Sequence, residues 1–229
     1  MTAHMHSFTS AQSLVSTFAD TLCAQLREAI EQRGSASLMV SGGSTPLPLF
    51  KTLSHAELDW SKVTISLVDE RWVPGDHADA NDRLVREHLL QNHAAKANYL
   101  SPYTGDETPE QGLSGAKERL SSMAQPFDVV ILGMGGDGHT ASLFPCCDQL
   151  EQGFTTDELL LATHPTKAPH ARISLSLKAI LAARHLYLHI SGQGKKAVLD
   201  QALAGSDPYE LPIRAVLQQA HVDVYWSEA

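Results

Sequence analysis

A chain of 229 residues, 43% hydrophobic and 19% charged, is long enough for one well-buried core, and a single α/β domain over residues 1–229 is expected. A net charge of −9 speaks against nucleic acid or an acidic membrane as partner, and no apolar run approaches the ~20 residues of a bilayer span. Three cysteines, Cys23, Cys146 and Cys147, are odd in number with two adjacent, which suits reduced thiols better than a disulfide framework.

The opening MTAHMHSFTS has neither a basic n-region nor an apolar h-region, so no secretory signal is expected and the cytoplasm is the expected compartment. Residues 1–9 are expected to be disordered, with His4 and His6 ligating nothing. Residues 10–33 place Leu14, Phe18, Leu22, Leu26 and Ile30 at four-residue steps before Gly34, an amphipathic helix capped by Thr9 with Gln12. Residues 35–40 read as a strand that ends in SGGSTP, Ser41 to Pro46. With Thr45 as N-cap and Pro46 as first helical residue, Gly42, Gly43 and Ser44 turn tightly ahead of a helix N-terminus, which favours a phosphate.

The strand at residues 63–68 runs into Asp69, Glu70, Arg71 and Trp72, charges at a strand end where open α/β sheets bind ligands. A structural ion pair of Arg71 with Asp69 or Glu70 is the plainer use of that cation, and packing is the expected use of Trp72. A helix over 81–91 follows, with Asn81 expected to cap it, then a short strand over 99–103 and a surface helix over 109–123 begun by proline. After the central strand and turn, residues 146–157 read as loop. Strands follow over 158–164, 172–175, 185–191 and 222–226, with helices over 177–183, 195–204 and 212–220. Strands alternating with helices predict a mostly parallel, doubly wound sheet with helices on both faces.

The central stretch is FDVVILGMGGDGHTASLFP, Phe127 to Pro145. Its apolar, β-branched run reads as a strand buried on both faces, followed by Gly133, Gly135, Gly136 and Gly138 and a helix expected from Thr140. The glycines match GxGxxG, yet Asp137 puts a carboxylate where a pyrophosphate would lie, and no acid closes the following strand. The same residues stand one position from a Walker A loop, but His139 cannot replace its lysine. An imidazole two residues after a carboxylate is the pattern of a general base whose tautomer an acid fixes, so Asp137 and His139 are candidate catalytic residues. No Cys or His cluster has zinc spacing, and no metal is expected.

SGGSTP, DERWVP and LGMGGDGHTASLFP, in this order and spacing, resemble the glucosamine-6-phosphate isomerase/6-phosphogluconolactonase family, with weaker matches at Asn81, Arg172 and Lys195. The resemblance runs from Val40 to Leu211 and implies a Rossmann-like sheet of the glucosamine-6-phosphate deaminase/ribose-5-phosphate isomerase kind. It also implies hydrolysis of 6-phospho-D-glucono-1,5-lactone in the pentose phosphate pathway without a cofactor; the expected partner is a small sugar-phosphate lactone, and a monomer is expected although the sequence leaves the oligomeric state open. Asp137 and His139 would carry the chemistry, while Gly42, Gly43, Ser44, Thr45, Asp69, Arg71, Arg172 and Lys195 would bind substrate. Which cation meets phosphate and which the carbonyl oxygen stays open. Apart from the resemblance, Arg172 also reads as an edge-strand surface charge and Lys195 as a solvated first-turn lysine. Deaminase relatives supply the alternative activity, but they continue GHIAFNEP and carry DEY where this chain has GHTASLFP and DER.

Overall fold

In the computed structural model, which describes residues 2–228, the chain runs β1 (Thr2–Phe8), α1 (Ala11–Arg33), β2 (Ala36–Val40), α2 (Leu47–Ser54), β3 (Val63–Leu67), β4 (Asp69–Arg71), α3 (Asn81–His88), β5 (Asn98–Tyr99), α4 (Pro109–Ser121) and β6 (Val129–Leu132). It continues as α5 (Leu150–Thr155), β7 (Leu160–Thr163), β8 (Arg172–Leu175), α6 (Leu177–Leu181), β9 (His185–Ser191), α7 (Gln193–Ala204), α8 (Ile213–Gln219) and β10 (His221–Ser227).

Seven strands pair in parallel in the order β1-β10-β9-β6-β2-β3-β5. Strands β2 and β6 are buried along their whole length because helices cover both faces. Side chains alternate between the two covers. Leu38, Val40, Val129 and Ile131 join Leu14, Phe18, Leu22 and Leu26 of α1 in one cluster. Met39, Val130 and Leu132 join residues of α4, α7 and α8 in the other. Each such large side chain contributes about 1.5–3 kcal/mol by leaving water. Strand order moves outward from β2 through β3 to β5, then returns to β2's other side at β6, so the topological switch lies between β2 and β6.

Several expectations need correction. Residues 2–8 are a strand, with His4 opposite Asp223 and His6 opposite Tyr225; Met1 lies outside the described residues. The cap of α1 is Ser10, whose Oγ accepts from Ser13 N at 3.2 Å, and not Thr9 with Gln12. No helix starts at Thr140, because Ala141 takes φ +47, which a helix cannot contain; the next helix, α5, instead occupies part of the stretch read as loop. Strand β4 leaves the large sheet to form a small antiparallel one, β4-β8-β7. Val68 is the joint, its N–H donating to Val40 and its C=O accepting from Leu175. No helix of the described residues is long and apolar enough to cross a membrane.

Candidate active site

The loops after β2 and β6 meet at the switch point, and Ser41 ties them. Its Oγ donates to Ile131 O at 2.9 Å and accepts from Gly133 N at 3.0 Å. Helix α2 begins at Leu47 after Pro46, and Thr45 does not cap it as expected; it stands with Gly42, Gly43 and Ser44 in the wall of a cavity of about 300 Å³. Gly43 has φ +93 and Gly42 admits no side chain, since a Cβ there would fall 1.8 Å from Asn81 Oδ1. Asn81 is therefore a brace rather than a cap: its Nδ2 donates to Asp69 O at 3.0 Å, and its own carboxamide seats the glycine. Glu70 takes the capping role, its buried carboxylate accepting from the backbone N–H of Arg71, Asn81 and Asp82 at 2.6–2.8 Å. Burial pushes the Glu70 carboxyl up to about 7, against the pull of those three donors.

Arg71 does not pair with Asp69 or Glu70. Its Nη1 donates to Asp79 O at 2.5 Å and its Nε is buried without a partner. Arg172 sits in the middle strand of the small sheet and is 5% exposed, so the surface-charge reading fails. Its Nη1 lies 3.7 Å from Asp69 Oδ2, which also accepts from Ser142 Oγ at 2.5 Å, and its Nε too is buried without a partner. Burial lowers the Arg172 pKa, partly offset by Asp69. Lys195, in the first turn of α7, completes three cations around one cavity.

His139 stands at the same cavity with Asp137 behind it, Nδ1 to Oδ1 at 2.6 Å. The hydrogen bond from His139 holds the Asp137 carboxyl down at about 2, so the pair carries an anion that accepts the Nδ1 proton and leaves the Nε2 lone pair free. Phe144 stacks on the imidazole, centroids 3.9 Å apart at 27°, and the Arg172 guanidinium carbon lies 5.0 Å from the Phe144 centroid. Two glycines make the turn possible. At Gly135 a Cβ would fall 2.1 Å from His139 Nδ1; at Gly138 φ is +74 and a Cβ would meet Leu211 at 2.6 Å.

Thus every expected substrate-binding residue lines the cavity together with His139. Trp72 packs outside it, against Tyr103, as expected. Cys146 and Cys147 are not in its wall. One wall residue carries no mark in the sequence: His189, 6% exposed, inside the apolar run of β9. Burial pushes it down to about 4, so it is neutral, and its Nδ1 has no partner. Its only sequence signal is a polar residue two positions before the carboxyl end of a buried strand.

The profile of the family described as glucosamine-6-phosphate isomerases/6-phosphogluconolactonase matches residues 9–226. The chain belongs to this family. A protein of Rhizobium meliloti (strain 1021) named 6-phosphogluconolactonase is 45% identical over 99% of this chain and 100% of its own length. A crystal structure of a 6-phosphogluconolactonase from Shewanella baltica OS155 superposes with TM-score 0.97 at 51% identity, covering 98% of this chain and 97% of the other. A monomeric glucosamine-6-phosphate deaminase shares the fold at TM-score 0.81 and 16% identity, covering 98% and 97%. For a member of this family the GxGxxG match is incidental: Asp137 is already committed to His139, and the backbone between them is closed by Gly138 N donating to Gly135 O at 3.2 Å.

Proposed function

We propose that this chain hydrolyses 6-phospho-D-glucono-1,5-lactone to 6-phospho-D-gluconate, the lactone step of the oxidative pentose phosphate pathway, with His139 as the general base. The observation that carries the reading is the 2.6 Å Asp137–His139 pair beside a cavity holding Arg71, Arg172 and Lys195. Full-length similarity to proteins named for this activity supports it.

His139 Nε2 takes a proton from the water that attacks the lactone carbonyl, and Asp137 balances the imidazolium that results. The developing oxyanion and the remote phosphate are both met by the three cations and by the turn at Gly42 to Thr45. The tetrahedral intermediate collapses by breaking the bond to the ring oxygen, which receives the proton from His139 and leaves as a hydroxyl. The product acid then releases a proton to solvent. All these groups come from one chain, so a second copy is not needed to complete the site; the unit proposed is a monomer in the cytoplasm acting on a small molecule.

The test is base-consuming hydrolysis of freshly generated lactone, read as the excess over spontaneous opening, beside ammonia release from glucosamine 6-phosphate by the same preparation. Excess hydrolysis without ammonia is expected. Ammonia without excess hydrolysis would transfer the chain to the deaminase side of the family.

A further inference from the structure

Three metal-type donors, His4, His6 and Asp223, meet at the outer edge of the large sheet, away from the cavity. His4 and His6 are two apart on β1 and share a face; His221 and Asp223 do the same on β10, with His4 in register opposite Asp223. Asp223 Oδ1 is 3.2 Å from His4 Nδ1 and 2.8 Å from His6 Nε2, and its Oδ2 is 3.7 Å from His221 Nε2. The donor atoms of His4, His6 and Asp223 all lie within 4.8 Å of one another. A tetrahedral ion with bonds of about 2.0–2.1 Å holds its donors about 3.3 Å apart, so the 3.2 and 2.8 Å gaps from Asp223 Oδ1 to His4 and His6 lie close to the spacing such an ion requires.

We propose that His4, His6 and Asp223 form a site for a divalent cation of the zinc type, which fastens β1 to β10. Two imidazoles and one carboxylate match the nitrogen-bearing donor sets of zinc, whereas calcium and magnesium ask for oxygens. The His6 ring is already held in place, stacked on Tyr225 with centroids 4.6 Å apart at 24°. A second cluster, His77, Asp79 and His170, is less suited. There His77 Nδ1 already accepts the Asp79 N–H at 3.1 Å and stands 4.0 Å from the Asp79 carboxylate. Linear spacing hides the first site because its halves are more than 200 residues apart.

A cation bound only by the folded chain raises stability and slows opening of the strand it crosses. The full chain, stripped with a chelator, is titrated calorimetrically with ZnCl₂ and, as control, MgCl₂. One zinc per chain is expected, no magnesium response, and slower amide exchange over residues 2–8 when zinc is present. His4→Ala/His6→Ala should weaken zinc by at least the roughly 10–100-fold that follows loss of a mere supporting group, while lactone hydrolysis stays at the wild-type rate. Asp223→Ala, at a partly exposed position, gives the same direction if the double variant folds poorly. His170→Ala should bind zinc as before. Absence of zinc binding, binding that survives in the double variant, binding lost in His170→Ala, or unchanged exchange over residues 2–8 overturns the proposal.

Discussion

Two buried polar clusters at opposite ends of the parallel sheet are satisfied to different degrees. At the amino-terminal end Asp128 is 1% exposed and fully engaged, with Arg33 Nη2 at 2.6 Å, Arg184 Nε at 3.4 Å, and Ser37 N and Oγ at 2.8 and 3.2 Å. At the carboxyl end Arg71 Nε, Arg172 Nε and His189 Nδ1 are buried with no partner. Leaving such an atom unmet costs about 1–3 kcal/mol each. A cluster whose donors and acceptors close on one another holds strands together; a cluster at a cavity whose donors are kept open is suited to a ligand.

The comparison can be broken or sharpened from either side. The largest effect is expected at the open end: His139→Ala should lose about 10²–10⁴-fold in kcat with KM nearly unchanged, read as lactone hydrolysis above the spontaneous rate. Wild-type turnover in that variant would remove the imidazole from the mechanism. At the closed end, Asp128→Ala should cost roughly 1–3 kcal/mol in urea unfolding, because it strands the buried Ser37 N–H while the half-exposed Arg33 and Arg184 turn to water, and kcat per folded molecule stays the same.

His189 gives an effect of similar size. Burial depresses its folded pKa to about 4, below an unfolded value of about 6.5, so between these the unfolded chain binds a proton that the native chain refuses. Its stabilising contribution is complete above pH 6.5 and falls as pH drops toward 4, by on the order of 3 kcal/mol. His189→Phe should remove that slope when urea midpoints at pH 7 and 4.5 are compared. Glu70, whose raised pKa pulls the other way, is common to both proteins and cancels in the difference. The smallest effect belongs to Lys195→Met, about tenfold in kcat/KM, or about 1.4 kcal/mol. Salt should diminish the difference, since Lys195 is only half-buried.

The parts of this molecule that are legible in its sequence are those whose chemistry is local. Asp137 and His139 are two residues apart, and the glycines that permit their contact flank them, so the pair could be read before any fold was known. Gly42 to Thr45 and the parallel core strands are legible for the same reason. What escapes is set by distant contacts. Three residues, Asp69 to Arg71, look like the tail of β3 but pair with β8, a choice made by a strand about a hundred residues away. Asn81 has the composition of a cap, yet Glu70 fills that role and frees its carboxamide to seat Gly42. Strand β1 shows little apolar alternation of its own, since His4 and His6 stand on one of its faces; β10 supplies its partner.

That last pairing governs the order in which the fold can be completed. Strand β1 lies at the sheet edge and pairs with β10, so its hydrogen bonds close over a separation of 219 residues between His4 and Asp223. During synthesis β1 has no strand to pair with until β10 has emerged. Its pairing therefore carries one of the largest loop-closure costs in the fold.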